Sequence, residues 1–240
     1  MAVLIDCDMG EGYGLYRCGD DEGIMPHVTH ANVACGFHAA DPMIMRQTIA
    51  LAKAHGVAVG AHPSFPDLQG FGRREMRMDR AEIAACVLYQ VGALKAFLDE
   101  AGLPLSHIKP HGALYGVASR DEAIAEGIAD AACVYGVKML GLAGTEHERV
   151  WRRRGLDFVA EYYVDLDYTD DGRIIITREH AARDPDEAAR RVVRMLREGL
   201  ITTINGHDHT LRAEAVCVHS DTPNAVALTT AVRRAIADFA

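Results

Sequence analysis

The stretch "ANVACGFHAADP", residues 31–42, decides how this chain is read. Its first half is an apolar run of strand length that ends in Cys35-Gly36-Phe37-His38. Asp41-Pro42 then opens a helical spacing, because Asp can cap the free N–H groups of a first turn and Pro fits inside that turn. A histidine therefore stands where a strand gives way to the loop before a helix. Outward from this point the same order repeats. Apolar runs at 3–9, 31–36, 57–62, 107–111, 137–143, 158–163 and 215–219 read as strands. Segments 42–54, 80–101, 120–135, 184–198 and 224–239 between or after them carry helical spacing. Asp184-Pro185 opens another of these helices, and Gly56, Gly102, Gly136 and Gly199 follow helix ends. Continuous apolar strands separated by helices predict a parallel sheet covered by helices. Seven such strands predict a closed (β/α) barrel, α/β in class, forming one domain over residues 1–240. Residues 163–177, with Asp-Asp-Gly before Arg173-Ile-Ile-Ile-Thr177, read as a β-hairpin excursion on one loop.

Composition narrows the function. The 240 residues are 49% hydrophobic, enough for a sizeable core, and carry a formal charge of −9. No long basic run occurs, which argues against a sequence-independent grip on nucleic acid. Arg152-Arg153-Arg154 reads as the solvated end of a helix. The six cysteines form no C-x-x-C pair and several lie in apolar runs, as buried thiols of cytoplasmic proteins do. The opening Met1-Ala-Val-Leu-Ile-Asp6 has no basic leader, so no signal peptide is expected. No apolar segment is expected to reach the roughly 18 residues of a membrane span. The expected location is the cytoplasm.

In a parallel barrel the site forms at the carboxyl ends of the strands. Here those ends read Asp6-Cys-Asp8-Met-Gly-Glu11, Cys35-Gly-Phe-His38, Gly60-Ala-His62-Pro, Lys109-Pro-His111-Gly, Glu161-Tyr-Tyr-Val-Asp165 and Val218-His219-Ser-Asp221. Packing does not account for such a recurrence, because every buried polar group needs a partner. Asp8 and Glu11 are expected to reach the site from the first loop. Asp6 and Asp8 are expected to leave their strand on different faces, with only one entering the barrel. His38, His62 and His111 are candidates for general acid or base, hydrogen-bond donors or metal ligands. Asp8, His38 and His62 would be the ligands of a divalent metal, although no compact H-x-x-x-H occurs. Lys109 would face developing negative charge, and Tyr115 would bond substrate or cap its loop. The Gly/Pro-rich loop "GAHPSFPDLQGFGRR", residues 60–74, would cover substrate; Arg73 and Arg74 would bind an anion or pair with carboxylates. No phosphate-cradling G-x-x-x-x-G-K-[ST] or G-x-G-x-x-G and no G-x-S-x-G elbow is present.

Five runs in this order resemble the signatures of the LamB/YcsF family: "DCDMGEGYG", "ANVACGFHAADP", "GAHPSFPDLQGFGRR", "KPHGALYG" and "VCVHSDTP". The family includes one subunit of a bacterial ATP-dependent 5-oxoprolinase. The resemblance implies a seven-stranded, distorted TIM-like barrel similar to the glycoside hydrolase/deacetylase superfamily. It also implies ATP-dependent opening of a cyclic amide, 5-oxoproline or a related lactam, with two further subunits. Asp8, Glu11, Asn32, His38, Asp41, His62, Lys109, His111, Tyr115 and Asp221 match the family pattern. On this reading Asp8, Glu11, His38, His62, Lys109 and His111 are catalytic. Asn32, Arg73, Tyr115, Asp165, His219 and Asp221 contact substrate. The chain departs from the pattern at Asp6 (usually Asn), His30 (usually Ser), and Ala40 and Ser220 (both usually Gly). It also reads Asp165-Leu166 where the family has Asp-Arg. If that arginine holds the carboxylate of 5-oxoproline, its loss points to a lactam without one. The alternative reading is a stand-alone metal-dependent deacetylase or amidohydrolase; a third is a subunit that presents substrate to a catalytic partner. Self-association is left open.

Overall fold

The computed structural model describes residues 3–239. Residues 1, 2 and 240, on which the ends of the expected domain and part of the expectation of no signal peptide fall, lie outside the described residues. In chain order the elements are β1 (Leu4–Met9), α1 (Asp21–Ile24), β2 (His30–Ala34), α2 (Pro42–His55), β3 (Ala58–His62) and α3 (Arg80–Ala101). Then come β4 (His107–Ile108), α4 (Gly112–Ala118), α5 (Glu122–Tyr135), β5 (Lys138–Gly141), α6 (Glu146–Arg153) and β6 (Phe158–Tyr163). The last are α7 (Pro185–Glu198), β7 (Leu200–Thr202), β8 (Asp208–Thr210), β9 (Ala215–His219) and α8 (Ala225–Ala235). Seven strands close a barrel in the order β1-β2-β3-β4-β5-β6-β9, all pairs parallel, as the alternation predicts. β7 and β8 form a separate antiparallel pair.

Local chemistry sets the element ends. Asp41 accepts from Met43 N (2.8 Å) and Ile44 N (3.1 Å), and Asp184 caps α7 in the same way. Gly56, Gly102, Gly136 and Gly199 end their helices in the left-handed conformation that glycine adopts freely. Ala40 adopts the same region, φ 70°, where the resemblance places a glycine. β4 is shorter than expected because Pro110 offers no N–H, but the extended pairing continues through Lys109 N to Ala61 O (2.9 Å) and His111 N to Pro63 O (2.8 Å).

Four expectations need correction. The excursion after β6 contains one antiparallel bridge, Tyr168 to Ile174, rather than a hairpin of strands. The two-stranded unit lies at β7–β8, on a stretch too short and polar to read as strand. α3 is 22 residues and apolar enough to cross a membrane by length and composition, contrary to the expectation that no segment is. In the fold it is a cover helix: Ile83, Val87, Val91, Leu94 and Leu98 are buried in the core. α4 and α6 are further helices, too short for a clear period; Arg152–Arg154 do end α6, paired with Glu148, Glu122, Glu126 and Asp130.

The last correction concerns Asp6 and Asp8. Residues two apart on a strand share a face, and both aspartates point into the barrel. Asn32 Nδ2 donates to Asp6 Oδ2 (2.8 Å) and to Asp8 Oδ1 (2.9 Å). The same period of two stacks Asn32 on β2, Gly60 and His62 on β3, Glu161 and Tyr163 on β6, and Cys217 and His219 on β9. Gly60 is required here, since a Cβ would overlap the His107 ring that crosses the barrel to Asn32 Oδ1 (2.6 Å).

Candidate active site

The interior is a polar column that rises from the barrel floor to its carboxyl-end mouth. Lys109 is its one ammonium: Nζ donates to Asp8 Oδ1 (2.7 Å) and Cys217 Sγ (2.9 Å), and lies 3.4 Å from Asp6 Oδ2 and 3.6 Å from Glu161 Oε1. Burial alone would lower the Lys109 pKa, but Asp8, Cys217, Glu161 and Asp6 outweigh it and raise it well above the ordinary lysine range. Burial likewise pushes Asp8 up, and the His62 ring and Lys109 reverse this, holding it well below the carboxylate range. Glu161 goes the other way: burial, against Lys109 but with Asp6 and Asp8, raises its pKa well above the carboxylate range.

Above the column stand three histidines. His62 Nε2 lies 3.2 Å from Asp8 Oδ2 and 2.9 Å from His111 Nδ1. His38 stacks on His111 at 3.8 Å between ring centroids, and its Nε2 is 3.1 Å from Glu11 Oε1. Burial lowers the pKa of all three histidines. Burial, with Asp8 and Asp221 nearby, raises that of Glu11. The metal-ligand set expected from sequence joined His38 and His62 to Asp8. The structure groups them with Glu11 and His111, ligand atoms all within 4.8 Å of one another, and leaves Asp8 outside that group, its Oδ2 3.2 Å from the same His62 Nε2 that faces His111.

A second group closes the mouth. Asp165 accepts from His219 N (2.8 Å), His219 Nδ1 (2.9 Å) and Thr222 Oγ1 (3.0 Å). Burial would lower His219, but Asp165 outweighs it and raises its pKa, so the ring holds its charge to higher pH than an ordinary histidine. Its Nε2 faces Asp8 Oδ2 at 3.6 Å. Asp221 pairs with Arg73 (2.8 Å) and with His180 Nδ1 (3.2 Å), and Arg73 also donates to Arg178 O (2.8 Å). Arg73 and Asp221 thus tie the 60–74 loop to the excursion after β6. Arg74 instead pairs with Asp67 outside the site.

Between these groups lies a cavity of about 20 Å³, room for about one water. Asp8, His62, Arg73, Lys109, His111, Tyr115 and His219 line its polar side, and Leu166, Ile174 and Ile176 its apolar side. Of the expected residues, Glu11, His38, Asn32, Asp165 and Asp221 stand behind this lining. Tyr115 keeps a buried hydroxyl without a hydrogen-bond partner. Sequence reading missed His180, Tyr163 and Cys217. Tyr163 and Cys217 share the inward period of named strand residues and could have been found; His180 lies in the irregular excursion and had no signal. A larger open depression of about 860 Å³ lies beside β7–β8, but its arginines Arg120, Arg149, Arg173 and Arg212 are each paired with carboxylates.

A closed parallel barrel whose acids, histidines and lysine converge at the carboxyl-end mouth has the build of an α/β-barrel enzyme. The chain belongs to the LamB/YcsF family, which it matches over residues 3–240. It is 45% identical over 240 residues to a 5-oxoprolinase subunit of Syntrophobacter fumaroxidans, covering 98% of this chain and 95% of that one. It is 40% identical over 241 residues to the lactam utilization protein lamB of Emericella nidulans, covering 99% and 95%. The crystal structure of a lactam utilization protein from Thermus thermophilus superposes with a TM-score of 0.91 at 45% identity, covering 100% of this chain and 97% of that one.

Proposed function

We propose that the chain, as one barrel domain over residues 1–240, is the lactam-handling subunit of an ATP-dependent cyclic-amide hydrolase. It works in the cytoplasm with two further subunits. The relatives' names, 5-oxoprolinase subunit and lactam utilization protein, support the reaction class. Six free cysteines accord with a reducing compartment. The observation that carries the reading is the small cavity with Lys109 and His219 on one side and an apolar wall on the other.

An unstrained lactam resists water. Phosphorylation of its carbonyl oxygen by ATP, on a partner subunit, gives an electrophilic carbon and a good leaving group. Lys109 then faces the oxygen that carries the phosphoryl group. Asp8, whose carboxylate stays ionised, takes a proton from the adding water as the C=N electron pair moves to the ring nitrogen, which receives the Nε2 proton of charged His219. As the C–N bond breaks the new hydroxyl gives its proton to the departing amine, and a second water releases phosphate from the resulting acyl phosphate to leave the carboxylate. His62 and His111 hold the water-side geometry, and Asp165 acts on the ring through His219 rather than by contact. A ring is larger than the present cavity, so the 60–74 loop must part from the loop after β9 at Arg73–Asp221 and from the excursion at Arg73–Arg178 to admit it. Leu166, 5% exposed, with Ile174 and Ile176, favours a ring without a carboxylate at that wall.

The test is turnover of 5-oxoproline and of 2-pyrrolidinone by the purified chain, with and without ATP and the two candidate subunits. Turnover is expected only in the full mixture, and to favour the neutral ring. ATP-independent hydrolysis by the chain alone would replace this reading with the stand-alone hydrolase, and a preference for 5-oxoproline would sink the assignment of Leu166.

A further inference from the structure

Four buried side chains at the mouth meet with acceptors facing acceptors. His62 Nδ1 lies 2.7 Å from the Lys109 carbonyl oxygen, and His111 Nε2 lies 2.8 Å from the Phe71 carbonyl oxygen. A carbonyl only accepts, so each of these nitrogens carries a hydrogen. The remaining nitrogens, His62 Nε2 and His111 Nδ1, then face each other across 2.9 Å, and Asp8 Oδ2 lies 3.2 Å from the same His62 Nε2. Glu11 Oε1 adds another acceptor, 3.3 Å from His111 Nδ1. It also lies 3.1 Å from His38 Nε2. His38 Nδ1 is buried without a partner, so only Glu11 acts on the tautomer of that ring, and with a cation between them the Nε2 turns its lone pair to the same point and the hydrogen moves to Nδ1.

We propose that Glu11, His38, His62 and His111 bind a first-row divalent cation of the zinc class. Three imidazole nitrogens and one carboxylate oxygen form a donor set that such ions take. Ligand atoms about 2.0–2.1 Å from a tetrahedral metal stand about 3.3–3.4 Å apart. The contacts of 2.9, 3.1 and 3.3 Å come near that edge, and all four ligand atoms lie within 4.8 Å of one another. The two backbone carbonyls behind His62 and His111 orient the rings as outer partners of metal-bound histidines do. A cation there answers the lone pairs of all four ligands at once and sets a Lewis acid beside the Asp8 carboxylate and the cavity wall. The competing arrangement is a proton on His62 Nε2, shared between His111 Nδ1 and Asp8 Oδ2, which needs no metal.

The site stands independently of the reaction proposed above, and its test reads binding rather than turnover. The full-length chain, purified without nickel resin or chelator, is assayed for bound metals by mass spectrometry, then stripped with EDTA and titrated with Zn²⁺ and Co²⁺. One equivalent per chain is expected, with the intense visible absorption of four-coordinate Co²⁺. His62→Ala and His111→Ala should weaken binding at least 100-fold, and the shape-preserving Glu11→Gln should weaken it too, while exposed His55→Ala changes nothing. Far-UV circular dichroism identifies any variant that does not fold, in which case Glu11→Gln decides. No saturable Co²⁺ binding, or binding unchanged by His62→Ala and Glu11→Gln, overturns the proposal in favour of the shared proton.

Discussion

Replacing Asp165 with asparagine isolates the device that keeps His219 charged. The carboxylate accepts three bonds, from His219 N (2.8 Å), His219 Nδ1 (2.9 Å) and Thr222 Oγ1 (3.0 Å). Asparagine has one acceptor oxygen, so its NH₂ must face at least one of these donors. A hydrogen bond to a charged group contributes about 1.5–3 kcal/mol, and Asp165→Asn should cost about that much at pH 6. Both shifts fix the window. The folded pKa of His219 is raised, so its share is complete below the ordinary histidine value of about 6.5 and fades as pH rises through the folded value. The folded pKa of Asp165 is lowered: burial opposes ionisation, but His219 outweighs it, so its share is complete above about 3.9 and fades on acidification. Urea unfolding of both proteins at pH 6 and pH 9 should therefore show a stability gap that shrinks at the higher pH. In the reconstituted enzyme, loss of an oriented proton donor should lower kcat by about 100-fold or more and move the alkaline limb of the profile to lower pH. A gap equal at both pH values, with an unmoved alkaline limb, would refute the pairing as the source of the charge.

Two further outcomes follow from packing and burial. Gly60→Ala sets a Cβ into the His107 ring and should cost about 3 kcal/mol or prevent folding, read from soluble yield and the urea midpoint; a wild-type midpoint would show that His107 can vacate the barrel centre. Asp21 is pushed up to about 6 by burial, against the hydrogen bonds from Gly10 and Thr48 that favour its ionised form. A raised acid stabilises the fold below its unfolded value and loses that contribution as pH climbs to about 6, so Asp21→Asn should be up to about 3 kcal/mol more stable relative to the parent at pH 8 than at pH 4. A difference of the opposite sign would contradict it.

The barrel and most of its site were legible because both follow from periods. Seven apolar runs separated by helices, each ending in polar residues, fix a parallel barrel and the end at which its chemistry sits. The strand-end histidines His38, His62, His111 and His219 could be named for that reason. What the sequence does not carry is which atom faces which. The groups that set the His62 and His111 tautomers are the carbonyls of Lys109 and Phe71, and a backbone carbonyl leaves no mark on residue type. His180 arrives through an irregular excursion, where no period places a side chain.

The floor of the barrel shows the same limit and yields the last prediction. Asp6, Asp8 and Glu161 surround the single ammonium of Lys109, and burial with the two aspartates raises the pKa of Glu161 against Lys109. Asp6 Oδ1 and Glu161 Oε1 are both buried without a hydrogen-bond partner. Asp6 and Glu161 each have an oxygen within 4.8 Å of the other's and of Cys217 Sγ. Asp6 stands where the resemblance places an Asn. An asparagine there would keep an oxygen for Asn32 Nδ2 and turn its NH₂ toward Glu161, giving a donor to an acceptor that has none. It would also remove one of the carboxylates that oppose Glu161 ionisation. Satisfying one buried polar group is worth about 1–3 kcal/mol. Asp6→Asn should therefore raise stability by about 1–2 kcal/mol at pH 7.5, within that range because the new bond must form without repacking. The urea midpoint measures it. A destabilised Asp6→Asn would mean that the carboxylate of Asp6 is itself needed to hold the Lys109 ammonium in place.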